Sequence, residues 1–227
     1  MENYSQAAAE DDRFAMDLML RNGIPEDVVR ALGSVSQAFR AWGARAKITR
    51  VLRDGDRIAM RDRTLEVHFR PGHSPTDTVF LDAERRMLLA ADHLLAHISS
   101  NPLISRVPGS STERAQSLVV YLESLRRTRE MDVDLVLPGH GDPITDHRAL
   151  IDTRFDLHRR RADKMHRLIA ERSRSAYELA QALWGNIAVT QAYLTLSEVL
   201  GHTDILQNEG RVREVEEESV VRFEAVR

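Results

Sequence analysis

The sequence contains no cysteine. Disulfides and thiolate metal sites are therefore excluded, and any transition metal must be held by imidazole and carboxylate. Lysine is nearly absent too. Lys47 and Lys164 are the exceptions among basic residues that are otherwise arginine, a bias we assign to coding rather than chemistry. A formal net charge of −3 gives no general pull toward nucleic acid or an anionic membrane. No apolar run is long enough to span a bilayer. The opening MENYSQAAAEDDRF has no basic segment followed by an apolar one, so no secretory signal is visible and a cytoplasmic location is expected. What is present is 227 residues, 42% apolar, enough for one medium domain or a domain with a small appendage.

Residues 7–21 place Phe14, Leu18 and the neighbouring methionines on one helical stripe, stopped by Asn22-Gly23. Pro25 opens a second helix to about Trp42, with Val28, Val29, Leu32, Val35 and Phe39 as its apolar face. From residue 47 the period changes to that of strands. KITRVL, DRIAM, TLEVHF, TVFLD and MLLAAD are short runs broken by turns such as Asp54-Gly55. A loop rich in Ser, Asn, Pro and Gly follows over 97–111, and Thr112 is expected to cap a helix to about Thr128. VDLVLPGHGD reads as a buried strand ending in a glycine-bounded turn, and Asp146 begins a long helix to about Arg172. Within it, HRRRADKMHR is expected to be a solvated face, with Phe155, Leu157, Met165, Leu168 and Ile169 on the buried side. The rest, two helices and an alternating RVREVEEESVVRFEAV, has the order of a small winged-helix module. The chain is thus an α/β protein with a helical 1–45, a strand-rich core over 47–142, a long helix over 146–172 and a separate α+β module over 173–227.

Three polar residues follow strand ends. His73 sits in the Pro-Gly turn of VHFRPGHSPTD, Asp92 closes MLLAAD, and His140 lies inside Pro-Gly-His-Gly. Loops at one end of a sheet converge on one rim, so the three together form an oxygen/nitrogen metal constellation. Taken singly, His73 also reads as a solvated turn histidine and Asp92 as a helix N-cap. His140 between two glycines has little structural purpose. His68 alternates with Val67 and Phe69 and is expected to point away from the core.

GHSPTDTVFLD, LLAADHLL and DLVLPGHGDPI resemble the later motifs of the metallo-β-lactamase superfamily of binuclear metal hydrolases. The resemblance covers roughly residues 47–172. It implies that His73 binds a first metal, that Asp92 bridges both and that His140 binds the second. It further implies two divalent ions, zinc by expectation, whose bridging hydroxide attacks a carbonyl or phosphoryl group. His97 and Asn101, in the loop that relatives run along the cleft, are substrate-contact candidates. Asp142 is a candidate to orient the His140 imidazole from behind, and reads equally as a turn cap. The tail resembles the winged-helix appendage of one branch of these hydrolases.

One departure is large. The superfamily's His-x-His-x-Asp-His run is absent, and no histidine precedes His68. The expectation is therefore a partial αββα sandwich, a truncated chain rather than a natural variant, with an incomplete metal site, weak metal binding and negligible hydrolysis alone. The first functional reading is a metal-dependent hydrolase, or part of one, acting on a small acyl, thioester or related substrate. The alternatives are a non-catalytic binding or oligomerisation protein derived from this fold, or a nucleic-acid-processing member. The helix TQAYLTLSEVLGHTDILQ has no Arg or Lys, which counts against DNA. Half a sandwich exposes apolar surface, so a homo-oligomer is expected.

Overall fold

The computed structural model describes residues 4–40, 47–107 and 109–226. Trp42, where the second helix was expected to end, lies outside them. The chain forms two compact units: Met1–Lys47 with Ile104–Ala115 and Arg161–Arg227, and Ile48–Leu103 with Gln116–Arg160. The division falls inside a helix, between Arg160 and Arg161, whereas the composition-based boundary stands at 172.

The second unit carries a five-stranded sheet in the order β1-β2-β3-β4-β5. Its strands are β1 (Arg57–Ala59), β2 (Thr64–Phe69), β3 (Thr78–Asp82), β4 (Met87–Ala91) and β5 (Leu135–Pro138). The first four pair antiparallel in sequence, and β5 joins β4 in parallel. β2, β4 and β5 therefore run the same way and end at one edge. Helix α3 (Ser117–Arg129) links β4 to β5, as a parallel pair requires. One sheet face holds Val79, Leu88, Ala90 and Val136, all fully buried. Phe80, Leu89 and Leu137, paired across the strands on the other face, are half-buried.

Three sequence expectations are corrected here. KITRVL forms no strand: residues 47–51 are exposed and lie outside the sheet. The outer edge of β1 has no neighbour in the sheet, so the alternating pattern alone did not recruit this run. Thr112 caps no helix, because residues 113–115 are bonded to 105–107, with Val107 N donating to the Glu113 carbonyl and Ala115 N to Ser105. Those amides are committed to a bridge, and α3 starts only at Ser117. His68 lies opposite Val79 and so points to the same face as Val79, where it is half-buried and burial lowers its pKa.

The long helix α4 (His147–Glu171) starts where the aspartate signal places it: Asp146 Oδ1 accepts from Ala149 N at 2.9 Å. Its buried stripe runs Ile151, Arg154, His158, Ala162, Met165, Ile169, at helical spacing. Arg154 and His158 thus lie inside, and Phe155 and Leu157 are only half-buried, contrary to the sequence expectation.

The first unit holds α1 (Tyr4–Arg21), α2 (Glu26–Arg40), α5 (Ala176–Trp184), α6 (Ile187–Thr190) and α7 (Ala192–Asn208). Its three-stranded sheet has the order β6-β8-β7: β6 is Arg174–Ser175, β7 Val212–Glu217 and β8 Val220–Ala225. Ser175 and Glu178 form a capping box on α5, each side chain bonding the other's backbone N–H. Phe14, Met19, Leu179, Leu196, Leu200 and Phe223 belong to one apolar cluster. α7 is buried nearly all round, so it serves as the central helix of this unit.

That burial has a pH consequence. His202 on α7 is fully enclosed, and its Nδ1 bonds the Glu198 carbonyl at 2.7 Å. Burial holds its pKa below the ordinary histidine value, with Arg161 adding to the effect and Glu198 opposing it. The folded chain then binds fewer protons than the unfolded one, so stability present above pH ~6.5 is lost as pH falls below it. The expected slope from this group is at most about 1.4 kcal/mol per pH unit. Urea melts between pH 7.5 and 5 should show a shallower slope in His202→Asn than in the wild type. Equal slopes would exclude His202 as a source.

Candidate metal centre

The three strand ends converge as the topology requires. After β2, the chain turns at Pro71-Gly72, and a Cβ on Gly72 would lie 2.6 Å from the Tyr121 Cα, so only glycine passes beneath α3 here. Asp77 holds the turn that follows, accepting from Ser74 N at 2.9 Å. The turn presents His73. Its Nδ1 pairs with the Asn101 backbone carbonyl at 3.1 Å, which fixes the proton on Nδ1 and leaves Nε2 as the free donor atom.

Asp92 follows a register shift between Leu89 and Ala91, and Ala91 has φ +45°. A bulge at a strand tip re-aims the next side chain, and positive φ at a non-glycine residue is local strain held by its surroundings. Across the parallel pair, Gly139 N donates to the Ala91 carbonyl at 2.7 Å. A Cβ on Gly139 would stand 2.7 Å from Asp92 Oδ1, so glycine is what lets the His140 turn approach.

The result is a carboxylate between two imidazoles. His73 Nε2 lies 3.8 Å from Asp92 Oδ2, and His140 Nε2 lies 3.6 Å from Asp92 Oδ1. Both separations are too long for direct hydrogen bonds. Two donors on one tetrahedral ion stand roughly 3.3–3.6 Å apart, given metal–ligand bonds of about 2.0–2.2 Å. Each carboxylate oxygen faces a different imidazole, so one aspartate can serve two ions. Side-chain exposures of 30, 45 and 60% for His73, Asp92 and His140 leave the group open to solvent. Donor chemistry, spacing and the glycine cradle at 139 all fit a divalent metal.

The other candidates are placed as follows. His97 Nε2 bonds Asp142 Oδ2 at 2.7 Å on an exposed rim. Asp142 is therefore paired with His97, not with His140 as the sequence reading had it. Gly141, at φ +85°, turns the chain between His140 and Asp142. Asn101 acts here through its main chain, on His73. Sequence reasoning missed Gly139 as a spacer and Arg154, whose Nη2 bonds the carbonyls of Leu95, Ala96 and Ile98 in the loop after Asp92. The signal for Arg154 was available: a charged residue falls on the apolar period of α4.

Residues 14–140, more than half of the chain, match the model of the metallo-beta-lactamase superfamily. The chain belongs to that superfamily. Over 217 residues this chain is 33% identical to the probable metallo-hydrolase YqjP of Bacillus subtilis, covering 95% of itself and 66% of that protein. It is similar in structure to a beta-lactamase domain protein from Burkholderia ambifaria (TM-score 0.79, 27% identity, 91% of this chain and 60% of that one). A metallo-beta-lactamase family protein from Thermus thermophilus gives 0.74 and 25%, over 92% and 62%. The chain thus spans about two thirds or less of the length of these relatives. The superfamily is one of divalent-metal proteins, and no described helix here is long and apolar enough to cross a membrane.

Proposed function

We propose that this chain carries part of the active site of a metal-dependent hydrolase, with His73, Asp92 and His140 as ligands to a pair of zinc ions. The observation that carries the reading is the single Asp92 carboxylate whose two oxygens face two different imidazole nitrogens at 3.8 and 3.6 Å. When bound, divalent ions acidify water and polarise the scissile group. The residues of this chain do the holding: Asn101 orients His73, the bulge aims Asp92, and Gly139 admits His140.

Three donors do not complete two metal shells. We therefore read the chain as a partial site, weak in metal binding and negligible in hydrolysis by itself. His97 and Asn101 border the centre on the side where a substrate would lie. A small acyl or thioester substrate is favoured, supported by 26% identity over 141 residues to a protein named atrochrysone carboxyl ACP thioesterase, from Aspergillus fumigatus. That match covers 40% of the fungal protein. The C-terminal helices and hairpin are read as a winged-helix-like packing element, and self-association as part of the same picture. DNA is disfavoured because α7 is buried over most of its surface and has no Arg or Lys.

The test is calorimetric titration of the metal-free chain with zinc, followed by assays on thioester, lactone and phosphodiester substrates. Weak zinc uptake with negligible turnover is expected, and no binding to labelled duplex DNA at low salt. Tight binding of two zinc ions with rapid turnover would overturn the partial-site reading. Absence of any zinc uptake would remove the metal assignment.

A further inference from the structure

The loop from Asp92 to Leu103 contains no helix or strand, yet both ends of it touch the candidate centre. The Ser100 hydroxyl donates to the Asp92 carbonyl, and Leu103 N donates to the His73 carbonyl at 3.3 Å. The Asn101 carbonyl accepts a hydrogen bond from His73 Nδ1–H. The shape of this loop therefore decides the tautomer of one ligand and the backbone position of another.

That shape needs an internal support. The carbonyls of Leu95, Ala96 and Ile98 all turn inward, each 3.1 Å from Nη2 of Arg154. Inward carbonyls repel one another unless a donor sits among them, and a buried cation is tolerated only where it is well bonded. Arg154 is 8% exposed and fixed on α4. One turn further along that helix, His158 Nε2 meets the Ser99 hydroxyl at 3.3 Å, so α4 grips the loop at two successive points. Charge-assisted bonds are the stronger kind, and here the two N–H groups of one guanidinium nitrogen are shared among three carbonyls.

We propose that Arg154 is a positioning residue, holding the 93–103 loop in the shape that presents His73 and Asp92 to a shared divalent cation. The proposal rests on the metal reading above, and it extends that reading to a residue that touches neither the cation nor the substrate.

The test uses the full chain and two variants. R154M keeps the reach without donors, while R154K keeps a cation with three. In the metal-free protein, 15N chemical shifts of the His73 imidazole should show the Nδ1–H tautomer in the wild type and a mixture in R154M. Zinc affinity, by chelator competition, should fall at least about 10-fold in R154M, the scale of supporting-residue effects at metal sites. R154K should restore most of both. An unchanged tautomer and affinity in R154M overturn the proposal. Should R154M fail to fold, hydrogen exchange on the wild type decides: protection of the Leu103 amide comparable to β4 supports the support role, and free exchange across 93–103 overturns it. A wild type that takes up no zinc, with the tautomer still shifting in R154M, fails the metal reading and upholds the hold of Arg154 on His73.

Discussion

Asp92→Ala should lower the zinc affinity of this chain by about 100-fold or more, a larger loss than the 10–100-fold typical of outer-sphere changes. The reason is the position of the carboxylate. It is the oxygen donor of the trio, and each oxygen lies near a different imidazole. Removing it separates His73 from His140 and leaves two single-histidine sites. The fold should tolerate the change, because the Asp92 side chain is 45% exposed and the bulge that carries it is bonded through the backbone. His140→Ala, by contrast, should spare the His73–Asp92 half and cost less. Equal affinity in Asp92→Ala and the wild type, measured by calorimetry on folded protein, would remove the bridging assignment.

The largest loss of stability is expected from Asp204→Ala, about 3–5 kcal/mol, the scale found when one partner of a buried ion pair is deleted. Arg114 and Asp204 meet through two contacts, Nη1 to Oδ2 at 2.6 Å and Nη2 to Oδ1 at 2.5 Å. Asp204 is 2% exposed and Arg114 17%. Burial raises the Asp204 carboxyl above its usual value, although the forked bonds from the Arg114 guanidinium pull it down. Deleting the acid leaves a desolvated guanidinium with Glu214 at 3.8 Å as its remaining nearby acid, which sets the loss toward the lower end. Arg114→Met with Asp204→Leu should recover most of the loss, because two neutral side chains leave no charge unpaired. Urea unfolding of the three proteins measures this. A loss under about 1 kcal/mol in Asp204→Ala would mean that the pair is far more hydrated than its burial indicates.

Much of the fold was legible because its signals are local. The stop at Asn22-Gly23, the Asp146 cap and the alternation over 211–226 each depend on a few adjacent residues, and each gives the element expected there. The candidate centre was legible for a related reason. His73, Asp92 and His140 each follow an apolar run, and parallel strand directions bring their ends together. What failed depended on partners distant in sequence. KITRVL has the pattern of a strand but pairs with no strand of the sheet. Residues 112–116 have the pattern of a helix start, but Thr112 N and Glu113 N donate to the Ser110 hydroxyl and Ala115 N to the Ser105 carbonyl. The pairing of Asp142 with His97 spans 45 positions, a distance over which no periodicity carries information.

The backbone bond from Gly139 to Ala91 has a consequence for how such a centre could change over time. It clamps the bases of Asp92 and His140 at a constant interval, so side-chain replacement in the sheet cannot retune that gap. The stretch between His93 and Leu103 is held at its middle by the side chains of Arg154 and His158 and can be re-sculpted piece by piece. New reactant preferences would then accumulate in that stretch, while the clamped pair stays as inherited.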